Sequence, residues 1–393
     1  MEWRFAQISD VRLGIKLSRL DGDIASTIRD ASRQALCDAI RIAHEQQCEA
    51  MLIPGDLYTR KGIDPAGQLR FAYERMADYP TMMFMIAPGN ADAFGGNCPY
   101  VYLKPPSNVR IFMEPEWQSI ELDTVTVTGR AHQVSEGPLR NPLQDLPRPN
   151  PDKLSVLMLR GRLAGADDGR FTRNNNESSN NNSREINVER LLSSGYTYVA
   201  LGGMHAKIEL QRSNGKAAAA YASTPQCADW DARGPGGFLT GELTREGAEL
   251  QFHHTAKYRW MQRDVVLPPP YVEQYQARLI QALETMGAEL SPDLLYKLKI
   301  NGELHRDLNP QLEKAIEELR SQVFFLDENM LEVQLFDGVN PAQLPADSLL
   351  TAYLQRCSAE ASQSGSDPEV YELARRLGWL LFTGKGLPVE ISE

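Results

Sequence analysis

The amino-acid sequence predicts an α/β protein, and two observations carry this prediction. First, short apolar strands alternate with helical patterns, the strands at 3–9, 50–53 and 81–87 and the helices at 24–47 and 68–77. Second, each strand closes on turn-forming residues: Asp10, Pro54-Gly55-Asp56 and Pro88-Gly89-Asn90. A repeated order of strand, turn and helix is typical of α/β folds.

The rest of the chain predicts a second α/β module and a helical tail. Short strands are expected at 119–122, 125–129, 154–159, 196–201 and 263–267. Three prolines at 268–270 then mark a domain boundary, because proline continues neither a helix nor a sheet interior. Beyond them we predict a helix, a strand, a helix and a strand at 271–286, 295–300, 310–322 and 330–336. Two amphipathic helices are expected at 347–357 and 368–382, joined by a flexible linker at 358–367.

These elements divide the chain into three predicted domains, at 1–267, 268–340 and 341–393. An asparagine- and serine-rich stretch inside the first domain predicts a disordered loop at about 172–184.

Composition excludes several classes of protein. With 42% hydrophobic and 24% charged residues, the chain of 393 residues is globular rather than disordered or fibrous. No apolar run approaches the ~18 residues of a membrane span, and the N-terminus lacks a signal-peptide layout. The five scattered cysteines form no C-x-x-C pair, which excludes a cysteine zinc site. We therefore expect a cytoplasmic protein with no membrane partner.

The net charge of −11 is concentrated near the C-terminus. Residues 261–340 hold 14 acidic and 7 basic side chains, 341–393 hold 7 and 4, and 1–260 hold 31 and 30. Duplex DNA is usually bound by a basic surplus. Any contact with DNA is therefore expected to be weak and to come from residues 1–260.

The candidate chemistry lies at the strand ends. Asp10, Asp56 and Asn90 each follow an apolar strand, and His205 follows a later one. Because carboxyl ends of parallel strands meet at one edge of a sheet, these side chains are expected to converge. Carboxylate and amide oxygens are ligands suited to a divalent cation.

The order of these motifs resembles the calcineurin-like metallophosphoesterase family. The motifs are Asp10-x-Arg12, Gly55-Asp56, Gly89-Asn90-Ala91-Asp92, Leu159-Arg160-Gly161 and Gly202-Gly203-Met204-His205. Over 3–265 the chain looks like the SbcD-type DNA-repair exonuclease branch, and 271–337 looks like that branch's capping domain. The resemblance implies a four-layer β-sandwich flanked by helices and an SMC-like ATPase as partner.

The resemblance also implies a degenerate metal centre. Asp10, Asp56, Asn90 and His205 match the family's ligands and are interpreted as vestigial. Four positions where the family has histidine carry other residues, namely Arg12, Ala91, Arg160 and Gly203, and position 91 is that of the family's phosphate-polarising acid. A protonated guanidinium cannot bind a cation. Arg12 and Arg160 are instead predicted to pair with Asp10 and Asp56, replacing the metals' charge, or to bind phosphate.

Three functions remain open at this point. The first is a catalytically inactive SbcD-like scaffold without a cofactor, which binds the ATPase, with DNA and a second copy of the chain as further partners left open. The second is an active Mn²⁺-dependent nuclease or phosphodiesterase that uses the residual ligands. The third is a small-molecule phosphatase whose arginines bind phosphate directly. The tail helices are expected to dock either on the chain's own capping module or on the partner's coiled coil.

Overall fold

The computed structural model describes residues 1–134, 142–164, 166–167, 170–171, 185–230, 234–268, 275–336, 344–345, 348–361 and 368–382. The chain forms two compact units, Met1–Trp260 and Met261–Glu393. The first is mixed α/β, in agreement with the predicted fold class. The loop predicted to be disordered at 172–184 lies outside the described residues.

The first unit contains a large sheet with helices packed on it. Its strands are β1 (Trp3–Gln7), β2 (Ala50–Ile53), β3 (Met83–Ile86), β4 (Val109–Ile111), β5 (Gln118–Glu121), β6 (Val125–Gly129), β7 (Leu154–Arg160), β8 (Arg162–Leu163), β9 (Ala166–Asp167), β10 (Arg170–Phe171), β11 (Glu185–Ile186), β12 (Tyr198–Gly202), β13 (Lys207–Gln211), β14 (Ala217–Ala222), β15 (Gly237–Thr244) and β16 (Gly247–His254). Its helices are α1 (Gly22–Glu45), α2 (Pro65–Ala77), α3 (Pro99–Tyr102) and α4 (Val188–Leu192).

This sheet has two halves, and each half is built mainly of parallel strands. The strand order of the large sheet is β4-β3-β2-β1-β15-β16-β14-β12-β7-β6-β5, with β13 paired to β14. Two separate two-stranded sheets are formed by β8 with β11 and by β9 with β10. Strands β1 to β4 run parallel to one another, and so do β6, β7, β12 and β14. The antiparallel hairpin β15–β16 joins the halves. In each half, the strand ends that carry the predicted site residues lie at the carboxyl edge.

The sheet is curled, so that its two halves share one core. Trp3 and Phe5 of β1 belong to the same buried cluster as Val156 of β7 and Tyr198 of β12. Gln7, fully buried, fixes this arrangement: its amide nitrogen donates to the Leu201 and Ala220 carbonyls at 3.0 and 2.8 Å. A buried polar side chain with satisfied hydrogen bonds specifies one geometry, because each lost bond costs desolvation.

Local sequence explains the helices next to the site. On α1, the buried positions Ile28, Ala35 and Ile40 fall on one apolar face, as their helical spacing predicts. Helix α2 begins with Pro65 in its first turn, and the Asp64 side chain accepts a hydrogen bond from the Gly67 N–H at 3.0 Å.

The second unit contains a three-stranded sheet and four helices in its described residues. Its elements are β17 (Arg259–Val266, which begins in the first unit), α5 (Tyr275–Met286), β18 (Leu294–His305), α6 (Asn309–Gln322), β19 (Phe325–Phe336), α7 (Leu349–Ala361) and α8 (Pro368–Phe382). The sheet order is β17-β18-β19. Along the chain, the first unit ends at Trp260 and the second begins at Met261. The division into three domains stays a prediction.

The tail helices pack on each other. The Tyr353 hydroxyl of α7 donates to the Ala374 carbonyl of α8 at 2.7 Å, and the Tyr353 ring lies 6.0 Å from that of Phe382. The linker predicted at 358–367 is too long, since α7 continues to Ala361; residues 362–367 lie outside the described part. None of the helices described is long and apolar enough to cross a membrane.

Candidate functional site

The loops after β1 and β2 interlock at the carboxyl edge of the sheet. The Asp10 N–H donates to the Gly55 carbonyl at 3.1 Å, and the Arg12 N–H donates to the Asp56 carbonyl at 2.8 Å. Asp10, Arg12 and Asp56 all adopt left-handed backbone conformations, with φ of 56°, 52° and 57°. Such conformations cost energy for residues other than glycine, and they concentrate at functional sites.

Arg160 bridges the two carboxylates that these loops carry. From the end of β7, one terminal nitrogen of Arg160 donates to Oδ1 of Asp10 at 3.2 Å and the other to Oδ2 of Asp56 at 2.5 Å. The Asp10 and Asp56 side chains are buried, and the Arg160 side chain is 17% exposed. One predicted arginine therefore lies within hydrogen-bonding distance of both predicted carboxylates.

Backbone amides engage the remaining two carboxylate oxygens. The Gly203 N–H donates to Oδ2 of Asp10 at 3.0 Å, and the Ala91 N–H donates to Oδ1 of Asp56 at 2.8 Å. Gly203 has φ of 97°, a conformation that favours glycine. All four oxygens thus have a hydrogen-bond donor, two from a guanidinium and two from the backbone.

Asp92 holds the loops in place, a role that the sequence analysis missed. Fully buried, its carboxylate accepts from the N–H groups of Asp56, Leu57 and Gly89 at 3.0, 2.9 and 2.7 Å. It also accepts from the Tyr100 hydroxyl at 2.8 Å. The sequence feature that could have indicated this role is the position of Asp92 in the Gly89-Asn90-Ala91-Asp92 turn, directly after a buried strand.

The side chains of the other predicted site residues are not hydrogen-bonded to this cluster within the described residues. The Arg12, Asn90 and His205 side chains form no hydrogen bond or ion pair within the described residues. Asn90 is exposed, whereas Arg12 and His205 are half-buried. Of the two predicted arginines, Arg160 is the one hydrogen-bonded to the carboxylates. The Arg12 guanidinium forms no such bond in the described residues, but its positive charge opposes the rise in the pKa of Asp56, and the Arg12 N–H donates to the Asp56 carbonyl.

Burial and charge shape the protonation of the cluster. Burial raises the pKa of Asp56, while Arg160 opposes that shift. Burial, followed by the charge of Asp56, raises the pKa of Asp92 to about 6. Burial alone would lower the pKa of Arg160, but Asp56 and Asp10 outweigh it and raise the pKa above its ordinary value. Arg160 is therefore a permanent cation between the two carboxylates.

The residues present do not fit the two-metal centre that the family resemblance implies. The Arg160 guanidinium occupies the position between Asp10 and Asp56 where a shared ion would have to sit, and it repels cations. Across the described residues, no group of three or more histidine, cysteine, aspartate or glutamate side chains is arranged to hold a metal ion.

Comparisons with known proteins give only distant similarities. No protein-family model and no curated protein sequence matches the chain. Among solved structures, the chain is similar to a purple acid phosphatase from yellow lupin (Lupinus luteus) seeds, with a TM-score of 0.38 and 10% identity over 65% of this chain and 52% of the other. It is also similar to the phosphoesterase Yfce from E. coli, with a TM-score of 0.28 and 14% identity over 60% and 87% of the chains.

A third similarity is to the NAD nucleotidase of Haemophilus influenzae, with a TM-score of 0.25 and 10% identity over 82% of this chain and 60% of the other. The chain spans about half of the length of the lupin phosphatase, namely 52%. TM-scores below 0.5 do not assign the chain to a family.

Proposed function

We propose that this chain is a non-catalytic subunit with a metallophosphoesterase-type fold, in which an arginine has replaced the metal ions. The observation that carries the proposal is the Arg160 guanidinium bonded to both Asp10 and Asp56. A two-metal phosphoesterase needs its ions to generate hydroxide and to stabilise the phosphate oxygens. A guanidinium supplies positive charge but no activated water, so the arrangement favours structure or binding over hydrolysis.

The finer proposal is an SbcD-like subunit of a DNA repair or processing complex with an SMC-like ATPase. Its support is the order of the five sequence motifs along residues 10–205. In this proposal the first unit is the four-layer β-sandwich of the family, and β17 to β19 with α5 and α6 form the capping domain. The α7–α8 tail would then bind the partner, while DNA would be bound weakly.

Metal content and hydrolysis together test the proposal. We expect the purified chain to contain no stoichiometric transition metal, and EDTA to leave its melting temperature unchanged. With excess Mn²⁺, it should cleave neither plasmid DNA nor bis-nitrophenyl phosphate. Two Mn or Zn ions per chain would overturn the proposal.

Mn²⁺-dependent cleavage would instead support the alternative function, an exonuclease or phosphodiesterase that uses Asp10, Asp56, Asn90 and His205. The matched control for such activity is the Asp56→Asn variant, since Asp56 is a ligand in that alternative. Cleavage that survives this substitution would come from a contaminating nuclease.

A further inference from the structure

One edge of the sheet in the second unit is a long strand. The strand order is β17-β18-β19, and β19 runs parallel to β18 along one side. On its other side, β19 pairs with no strand in the described part of the chain. The backbone N–H and C=O groups of such an edge are a template for pairing with a further strand.

The two edges of this sheet differ in charge. The eight residues of β17 include Arg259, Arg263 and Asp264. Charged residues on an edge strand oppose its pairing with another chain. The last seven residues of β19, which we call the β19 edge segment (330–336), contain a single charged residue, Glu332. The β19 edge segment therefore lacks the protection that β17 has.

An irregularity in β19 determines which part of the strand is straight enough to pair. Between Asp327 and Met330 the register with β18 shifts, and β19 contains one residue more than β18 there. An extra residue of this kind twists an edge strand and interrupts its pairing. From Met330 to Phe336 the register is unbroken. The β19 edge segment is thus regular over its whole length.

The sequence of the β19 edge segment is nearly symmetric. It reads Met-Leu-Glu-Val-Gln-Leu-Phe, with Val333 at its centre. In an antiparallel pair of two such segments centred on Val333, position 331 lies opposite position 335, and both are leucine. Position 332 lies opposite position 334, which matches a glutamate with a glutamine. Because like charges opposite each other destabilise a pair of strands, this register is favourable for self-pairing.

We propose that two copies of this chain associate through their β19 edge segments, which pair antiparallel about a two-fold axis at Val333. The three strands of each copy then form one continuous sheet. Val333 packs against the core of the second unit, and Leu335, two residues further on the same face, is 38% exposed. The second copy would cover Leu335. The proposal goes beyond the proposed function and does not depend on the loss of the metal centre.

Sedimentation velocity of the full-length chain tests this proposal. Because seven residues per chain form a small interface, we expect mostly monomer at about 1 µM and mostly dimer at about 100 µM. Leu335→Lys should weaken association at least about tenfold, because a charge is added to the edge. Ile280→Lys, at a position of α5 that is 56% exposed, is the matched control and should associate as the wild type does. A wild-type chain that stays monomeric, or equal weakening by both variants, would overturn the proposal.

A disulfide tests the register. Val333→Cys places the two copies of residue 333 opposite each other, with Cα atoms about 4.5–5.5 Å apart, within the range of a disulfide. In Leu335→Cys the two copies lie four residues apart along the strands, about 14 Å, and cannot be linked. We expect oxidation to cross-link Val333→Cys and not Leu335→Cys on a non-reducing gel. Since both variants keep the native cysteines, equal cross-linking, or none for Val333→Cys, would contradict this register.

Salt distinguishes pairing of strand edges from association through ion pairs. Residues 261–340 hold 14 acidic and 7 basic side chains, so two copies of this region repel each other. Salt screens this repulsion, whereas it weakens an interface held by opposite charges. We therefore expect the dissociation constant of the dimer to fall about two- to fivefold between about 50 and 300 mM NaCl. A dissociation constant that rises over this range would show that the chains associate through another surface.

Discussion

Arg160 illustrates how much a single buried cation contributes when two carboxylates depend on it. Without the guanidinium, Asp10 and Asp56 would face each other with only backbone amides as donors. Removing one member of a buried ionic group costs about 3–5 kcal/mol, because uncompensated charge stays behind. We therefore expect Arg160→Ala to lower the free energy of unfolding in urea by about that amount.

The matched control for this substitution is Arg12→Ala in the neighbouring loop, whose guanidinium forms no ion pair in the described part of the chain. It should change the free energy of unfolding by less than about 1 kcal/mol. Adding Asp56→Asn to Arg160→Ala should recover part of the loss, since one carboxylate no longer needs a counter-charge. Equal losses from Arg160→Ala and Arg12→Ala would contradict this account.

Asp92 makes the free energy of unfolding depend on pH, and this contribution falls as the pH rises. Its pKa is raised from 3.8 to about 6 in the folded chain, mainly by burial. A raised carboxyl pKa means that the folded state holds the proton more tightly than the unfolded state does. The stabilisation from this proton is therefore complete below about pH 4 and is lost as the pH rises through about 6.

Asp92→Asn removes this titration. The free energy of unfolding of the wild type minus that of Asp92→Asn should fall by roughly 3 kcal/mol between about pH 4 and pH 7. Asp123→Asn, at an exposed position, is the control for the substitution itself. A flat curve for Asp92→Asn would show that the buried carboxyl titrates at the same pH in both states.

At the residue level, the sequence predicts that Asp10 and Asp56 converge, but not how their carboxylates are hydrogen-bonded. Asp10 and Asp56 reach the same edge of the sheet because both follow parallel strands, and the carboxyl ends of parallel strands lie at one edge. The difference between Arg160 and Arg12 depends on where each guanidinium points. Arg160, at the end of β7, reaches both carboxylates, whereas the Arg12 guanidinium acts on Asp56 through its charge alone.

At the level of elements, the α7–α8 hairpin leaves apolar side chains of α8 exposed. Val370 and Leu381 are 57% and 62% exposed, and eleven residues is close to three helical turns, so both lie on the same face. Partner binding through this face predicts that Val370→Asp with Leu381→Asp abolishes co-purification with the SMC-like ATPase. Because both positions are at the surface, stability should change by less than about 0.5 kcal/mol per substitution.

Gln355→Asp on exposed α7 is the control for the added charge and should leave co-purification intact. Deletion of residues 341–393 is the coarser version of this experiment, and we expect a folded chain that no longer retains the ATPase. Undiminished co-purification of the α8 double variant would show that this face is not the docking surface.

The sequence predicts best those elements whose pattern is contained in the element's own residues. Strands β1, β2 and β6 and helices α1 and α8 carry continuous apolar or helical patterns and lie within about two residues of the predicted positions. The hairpin β15–β16 was missed, although it joins the two halves of the sheet. Its strands are interrupted by glycine, threonine and charged residues, and its pairing with β1 is determined by contacts distant in sequence.

Strands β18 and β19 are longer than predicted, with 12 residues each. The apolar pattern predicts that β18 ends at residue 300, where the apolar run ends, and that β19 begins only at residue 330. Pairing across the sheet continues the strands through polar residues such as Asn301 and Glu332, which are in register with each other. Cross-strand hydrogen bonds extend a strand beyond the residues whose side chains favour it.

For the molecule as a whole, the distribution of charge limits how it can meet a nucleic acid. Residues 261–340 hold 14 acidic and 7 basic side chains, and 341–393 hold 7 and 4. Residues 1–260 are almost balanced, with 31 acidic and 30 basic side chains. Since Arg160 is already neutralised by buried carboxylates, it adds nothing to long-range attraction. The second unit should therefore repel a phosphate backbone, and contact should be confined to the first.

Weak binding of duplex DNA follows from this distribution, with a shallow dependence on salt. The slope of log K against log salt counts the phosphates that are neutralised, at about −0.9 each for duplex DNA. With contacts confined to one nearly neutral unit, we expect a slope of magnitude below about 3 in fluorescence-anisotropy titrations between about 50 and 200 mM salt. A nanomolar dissociation constant at physiological salt for the isolated chain would contradict the charge argument, because it would require a basic surface that the composition does not supply.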